Sequence, residues 1–168
     1  MRLGGKVSHL GSPVSPRQLA LALDHAESLA REDFLSGPPN AAALSLIDRW
    51  PDWPARVVAL IGPEGSGKSH LAAIWAEAAG ARVLAAKLLA AIDPPSALAT
   101  GALVIEDLEP EGLDEPALFH LLNLAREEGA YVLLTARTAP TGFPVAIRDL
   151  GSRLRALPAV TLAGPDDA

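Results

Sequence analysis

Apolar positions recur in two rhythms along the chain. Val57-Val58-Ala59-Leu60-Ile61 is a short, uninterrupted, β-branched run that stops at Gly62. That is the pattern of a strand buried on both faces that feeds a glycine loop. Beyond it the pattern alternates. Helix is expected over Lys68–Ala79, strand at Arg82–Ala85, a helical stretch at Ala86–Ile92 and strand at Ala102–Ile105. A second long helix follows over Pro116–Glu128, then a strand at Tyr131–Thr135, a short helix near Ile147–Ala156 and a last strand near Ala159–Leu162. The Pro116 helix has the clearest local signals: Asp114 can cap it, Leu118, Leu121, Leu122 and Ala125 share one face, and Gly129 ends it. Strands separated by helices imply an α/β fold, a five-stranded parallel sheet flanked by helices and joined by right-handed crossovers.

Upstream the periodicity is lost. Residues 1–30 are expected to form a mobile arm, the first 17 of them broken by Gly4, Gly5, Gly11, Pro13 and Pro16. The base domain takes residues 31–168. Its regular part begins near Phe34, and Asn40 stands as N-cap before Ala43, Leu44, Ile47 and Trp50 at helical spacing. Pro165-Asp166-Asp167 resembles the start of one more helix.

Composition narrows the classes. A chain of 168 residues fits one compact domain that needs no cross-links. Cysteine is absent, which removes disulfide frameworks and Cys-based zinc sites and fits a reducing compartment. Residues 1–15 hold no continuous apolar core, and Lys87 interrupts the longest later Ala/Leu stretch, so neither export nor membrane spanning is expected and a cytoplasmic location is. With 14 basic against 20 acidic side chains the formal charge is −6, which argues against gripping nucleic-acid backbones directly. His9, His25, His70 and His120 fall in separate elements without ligand spacing. Trp50, Trp53 and Trp75 have no interleaved basic residues, so they are assigned to packing rather than to base stacking.

The strongest chemical signal is Gly62-Pro63-Glu64-Gly65-Ser66-Gly67-Lys68-Ser69, a G-x-x-x-x-G-K-[ST] loop between a predicted strand and a predicted helix. Glycines let backbone N–H groups turn toward phosphates, and the following helix points its positive end at them. Lys68 reaches the β and γ oxygens, and Ser69 offers a hydroxyl to Mg²⁺. ADP or ATP with Mg²⁺ is the expected cofactor. Glu64, an acid in a loop built for anions, should point to solvent. Glu106 and Asp107 follow the strand Leu103-Val104-Ile105, at the carboxyl end where open α/β sheets bind ligands. One would join Ser69 in the Mg²⁺ shell, and the other would polarise the attacking water. Thr135 ends the neighbouring strand and could orient that water or sense the terminal phosphate.

Three stretches together carry a family resemblance: Gly67-Lys68-Ser69-His70-Leu71, Asp33-Phe34-Leu35-Ser36-Gly37-Pro38-Pro39-Asn40, and Asp149-Leu150-Gly151-Ser152-Arg153-Leu154. The chain from Gln18 to Ala168 resembles the AAA+ module of the bacterial replication initiator DnaA. It is most similar to the DnaA-related regulators called Hda, or HdaA in alphaproteobacteria. The resemblance implies a P-loop NTPase base in which His70 and the backbone near Phe34 and Leu35 join the nucleotide site. It also implies that Arg153 serves as an arginine finger inserted into the ATP site of a neighbouring subunit. A guanidinium suits that role because it is always charged and forks onto phosphate oxygens. Gln18-Leu19-Ala20-Leu21-Ala22-Leu23 resembles the peptide with which Hda proteins grip the sliding clamp, with Gln18, Leu19, Leu21 and Leu23 as its contacts. DnaA and the polymerase III sliding clamp are then the implied partners, with a homodimer as a further option and no sequence-specific DNA binding.

The sequence departs from the family at three points. Glu106 stands where aspartate is usual, which makes the chain's own hydrolysis secondary to binding. Ala22 stands near the usual proline of the clamp peptide. The helical lid and the DNA-binding domain of DnaA are expected to be absent. Two alternatives share the loop motif: a DnaC-like or transposon-helper ATPase that loads a partner on DNA, and a small P-loop kinase. The first should show a more basic surface, and the second needs a basic lid where residues 106–120 are acidic.

Overall fold

The computed structural model describes residues 37–164, in which five strands alternate with helices. The strands are β1 (Val57–Ile61), β2 (Arg82–Ala85), β3 (Ala102–Glu106), β4 (Tyr131–Ala136) and β5 (Ala159–Thr161). The α-helices are α1 (Ala41–Arg49), α2 (Lys68–Ala79), α3 (Pro94–Ala97), α4 (Glu115–Glu128) and α5 (Arg148–Ala156). All strand pairs are parallel and the order is β2-β3-β4-β1-β5. β4 is therefore the middle strand, flanked by β3 and β1, and β1, the most apolar run, lies between β4 and the short edge strand β5.

Alternation along the strands divides the core in two. Val58, Leu60, Val104 and Leu133 pack under α1 and α2 against Leu46, Ile47, Leu71 and Trp75. Ala59, Ile61, Leu103, Ile105 and Leu134 pack under α4 and α5 against Leu118, Leu121, Leu122, Leu150 and Leu154. Covering both faces explains why the strands read as unbroken apolar runs. Each buried Leu or Ile contributes about 1.5–3 kcal/mol. The tryptophans join the first core: Trp53 stacks on Trp75 with centroids 5.0 Å apart, and Trp50 meets Trp75 edge-on at 6.0 Å.

Local chemistry sets the helix ends. Asp114 Oδ1 accepts from the Ala117 N–H at 3.0 Å, and Gly129 ends α4 at φ 71°. Glu115 is absent from the sequence reading as a structural residue, yet its carboxylate accepts from the Ala146 and Ile147 N–H groups at the start of α5. It thereby fixes where α5, the helix of Arg153, begins. Asn40 occupies the N-cap position of α1 but makes no cap bond. It is buried, and its Oδ1 accepts from the Ala163 N–H at 2.9 Å, tying the entry of α1 to the exit of β5. The helical stretch after β2 is a 3₁₀ segment, Ala86–Ala91, and α3 is an element that the sequence pattern did not indicate.

Candidate phosphate-binding site

Loop geometry follows from the glycines at its ends. Gly62 leaves β1 with its N–H donating to Ala136 O at 3.0 Å. A Cβ there would lie 2.7 Å from Ser66 Oγ and 2.9 Å from Leu162 O, so the loop can close only on glycine. Gly65 and Gly67 take φ 81° and 99°, and Gly67 is the N-cap of α2. The first turn of α2 thus points its free N–H groups into the loop.

Lys68 is turned inward. It is 6% exposed, and its Nζ donates to Gly62 O at 2.6 Å and to Pro63 O at 3.1 Å. Burial lowers its pKa from the ordinary 10.5; Asp107, Glu106 and Glu64 pull it back up, while Arg137 pushes it further down. A desolvated ammonium held by two carbonyl dipoles is ready to exchange them for phosphate oxygens.

Beside it, Ser69 Oγ donates to Glu106 Oε2 at 3.1 Å. Glu106 Oε1 is buried with no hydrogen-bond partner, as are Ser66 Oγ and His70 Nε2 in and next to the loop. No group of three or more His, Asp or Glu that could hold a metal occurs among the described residues. A site with one hydroxyl, one carboxylate with a spare oxygen and an adjoining phosphate cradle fits Mg²⁺, which takes few protein ligands and draws others from phosphate and water. Ser69 and Glu106 would hold it, and the bound ion would supply charge neutralisation at the phosphates.

Asp107 sits next to this pair in the left-handed region, φ 59°, the one described non-glycine residue there. Such strain persists only where neighbours enforce it. Thr135 enforces it: its Oγ1 accepts from the Asp107 N–H at 3.0 Å and its carbonyl from the Leu108 N–H at 2.8 Å. The structure therefore differs from the sequence picture of Thr135 as a group opening onto the site. The residue is fully buried, and its hydroxyl holds Asp107 in place. Thr135→Val should destabilise the fold by about 1 kcal/mol, the loss of one part-buried hydrogen bond to the Asp107 amide, while Thr135→Ser should recover most of it. Urea unfolding of the two variants checks this.

Arg137 was missed by sequence reasoning. It follows β4, and its Nη2 lies 3.3 Å from Glu64 Oε2 across the mouth of the loop. Its signal was positional: it is the first cation after the strand that pairs with β1. Glu64 is exposed as expected.

Arg153 lies elsewhere. Its guanidinium sits 5.1 Å over the Phe119 ring and lines a cavity of about 430 Å³ with Arg56, Arg126, Leu122, Leu154 and Leu157. Val57, Ala130 and Pro158, also in that wall, precede or begin β1, β4 and β5, so the cavity opens at the amino ends of strands whose carboxyl ends carry the phosphate loop. Gln18, Leu19, Leu21, Leu23, Phe34 and Leu35 lie outside the described residues. No helix among the described residues is long and apolar enough to cross a membrane.

No protein-family model matches the chain, and neither does any curated protein. Solved structures do. The replication initiator DnaA bound to AMPPCP and single-stranded DNA superposes with a TM-score of 0.59 at 20% identity, over 79% of this chain and 49% of that one. Domain III of the Thermotoga maritima replication initiation protein DnaA gives 0.57 at 19%, over 79% and 65%. A proposed primosome component from Streptococcus pyogenes gives 0.55 at 19%, over 77% and 81%. The chain spans about half the length of the nucleotide-bound initiator. At these identities the likeness establishes the fold alone: a five-stranded parallel sheet flanked by helices, arranged as in those structures.

Proposed function

We propose that this chain is a nucleotide-binding AAA+ regulator of replication initiation, related to Hda, that supplies Arg153 in trans to ATP held by DnaA and docks on the sliding clamp through Gln18–Leu23. One observation carries the reading: the phosphate loop and Arg153 belong to opposite ends of the same sheet. The four residue steps of β1 separate those ends by about 13 Å. An arginine so placed is poorly sited for its own nucleotide and well sited for that of a neighbour. DnaA-like folds among the solved structures, one of them with AMPPCP bound, support the nucleotide and the process. In this reading ADP or ATP with Mg²⁺ occupies the loop of a cytoplasmic protein and sets its shape, and turnover by Glu106 and Asp107 is secondary.

The test adds the full chain to DnaA–ATP in the presence of clamp and DNA. Accelerated conversion to the ADP form is expected, and Gln18→Ala should lose that acceleration only when it depends on the clamp. Unchanged DnaA–ATP lifetimes with the wild-type chain overturn the reading. A second reading, an ATPase that loads a partner on DNA, is favoured by the S. pyogenes structure, which matches over 81% of its own length. Stimulation of helicase loading without effect on DnaA–ATP would select it.

A further inference from the structure

An acidic side chain in a loop that receives polyphosphate is an electrostatic liability, and the structure shows what Glu64 does there. Its carboxylate pairs with Arg137 at 3.3 Å, the one ion pair among the described residues. Arg137 is not placed at random. Ala136, its neighbour, pairs with Ile61 in the β1–β4 register, and its carbonyl accepts from the Gly62 N–H. The guanidinium is thus anchored one residue beyond the hydrogen bond that launches the loop. β4 also neighbours β3, whose end carries Glu106 and Asp107, so Arg137 stands on the side of the loop where a terminal phosphoryl group would meet those carboxylates.

Arg137 stands close enough to Lys68 to repel its ammonium, pushing the Lys68 pKa down. Each is held by an oxygen that a phosphate could replace. Lys68 is held by two loop carbonyls and Arg137 by the Glu64 carboxylate. We propose that the Glu64–Arg137 pair is a counter-ion switch on the phosphate loop, in which Glu64 occupies Arg137 until a polyphosphate displaces it and Arg137 then binds the terminal phosphoryl group. The switch rests on the nucleotide reading given above and deepens it. A monoanionic carboxylate on an exposed pair is a weak competitor, since Glu64 and Arg137 are 85% and 58% exposed. A multiply charged phosphate with several oxygens in range of a forked guanidinium outcompetes it. Because Arg137 reaches the distal end of the chain of phosphates, the switch favours three phosphates over two.

Calorimetry on the full chain tests this with inorganic tripolyphosphate and pyrophosphate beside ATP and ADP, circular dichroism confirming that each variant is folded. Glu64→Gln should tighten tripolyphosphate about two- to fivefold, the release of one exposed ion pair. Arg137→Gln should weaken it about tenfold or more and remove its advantage over pyrophosphate, with Arg137→Lys recovering part of the loss. Wild-type affinities in both Gln variants, or weaker binding in Glu64→Gln, overturn the switch while leaving nucleotide binding intact. The expected pattern with tripolyphosphate, alongside no binding of ATP or ADP, would instead sink the nucleotide reading and keep the switch. Binding of neither inorganic polyphosphate nor nucleotide overturns both.

Discussion

Lys68→Met should lower the affinity for ATP or ADP about a hundredfold or more, and leave the fold as stable as before or slightly more so. The two halves of this result have one cause. Lys68 is only 6% exposed, so folding strips its side chain of most of its water, and two loop carbonyls return only part of that solvation to the ammonium. Without phosphate it costs the folded state something. With phosphate it makes charge-assisted bonds worth about 1.5–3 kcal/mol each, and Met has the length to fill the space without making them. The pH dependence has a definite sign. The folded pKa lies below the ordinary 10.5, so between the two values the unfolded chain binds more protons, and stability rises with pH across that window. Polyphosphate pulls the lysine pKa up again. Affinity is therefore full below the depressed pKa and falls as pH rises through it, whereas Lys68→Met should show no such alkaline loss. Calorimetric titrations between neutral and alkaline pH measure both. Equal affinities for wild type and variant would mean that phosphate is not the ligand of this loop.

How far the site could be read from sequence depended on whether each residue acts along the chain or across it. Gly62, Gly67, Lys68 and Ser69 sit within one loop, and their roles follow from spacing between a strand and a helix. The helix caps Asp114 and Gly129 are equally local and occur where their residue types require. Thr135 is different. A strand-end threonine can face solvent or turn to a neighbouring strand, and only the β3–β4 register shows that its hydroxyl meets the Asp107 amide. Asn40 repeats the lesson: as a helix-capping type its side chain was assigned to its own helix, but the end of β5 lies closer to hand. Glu115 and Arg137 act on residues 31 and 73 positions away in sequence, and nothing in periodicity could pair them. The 3₁₀ form of Ala86–Ala91 escapes sequence for another reason, since the same Ala and Leu residues suit either helix and the short connection decides. The fold was legible because apolar runs and glycine punctuation are strong local signals. The electrostatic partners were not, because long-range register creates them.

On the proposed function, Arg153→Ala should leave nucleotide binding by this chain within about twofold of wild type and abolish the proposed stimulation of ATP hydrolysis by DnaA, a loss of about 10³–10⁵ in stimulated turnover by analogy with known arginine fingers. The separation of the two outcomes follows from position. Arg153 touches Phe119 and a cavity at the amino ends of the strands, not the loop that follows β1. Its removal costs a cation–π contact of about 0.5–1 kcal/mol, too little to unfold a domain whose two cores are intact. The Phe119 ring has a further consequence. The guanidinium lies over it at 5.1 Å, a contact that uses the charge and not an N–H donor, so the N–H groups remain available to phosphate oxygens. Arg153→Lys keeps the charge but loses the fork, and should recover less than a tenth of the stimulation. Phe119→Ala keeps the arginine and loosens it, so it should reduce stimulation severalfold rather than abolish it. Single-turnover hydrolysis of DnaA-bound ATP, followed with each variant at saturating concentration, distinguishes these cases. Stimulation by Arg153→Ala equal to wild type would take the finger from this helix and leave the phosphate loop as the chain's functional element.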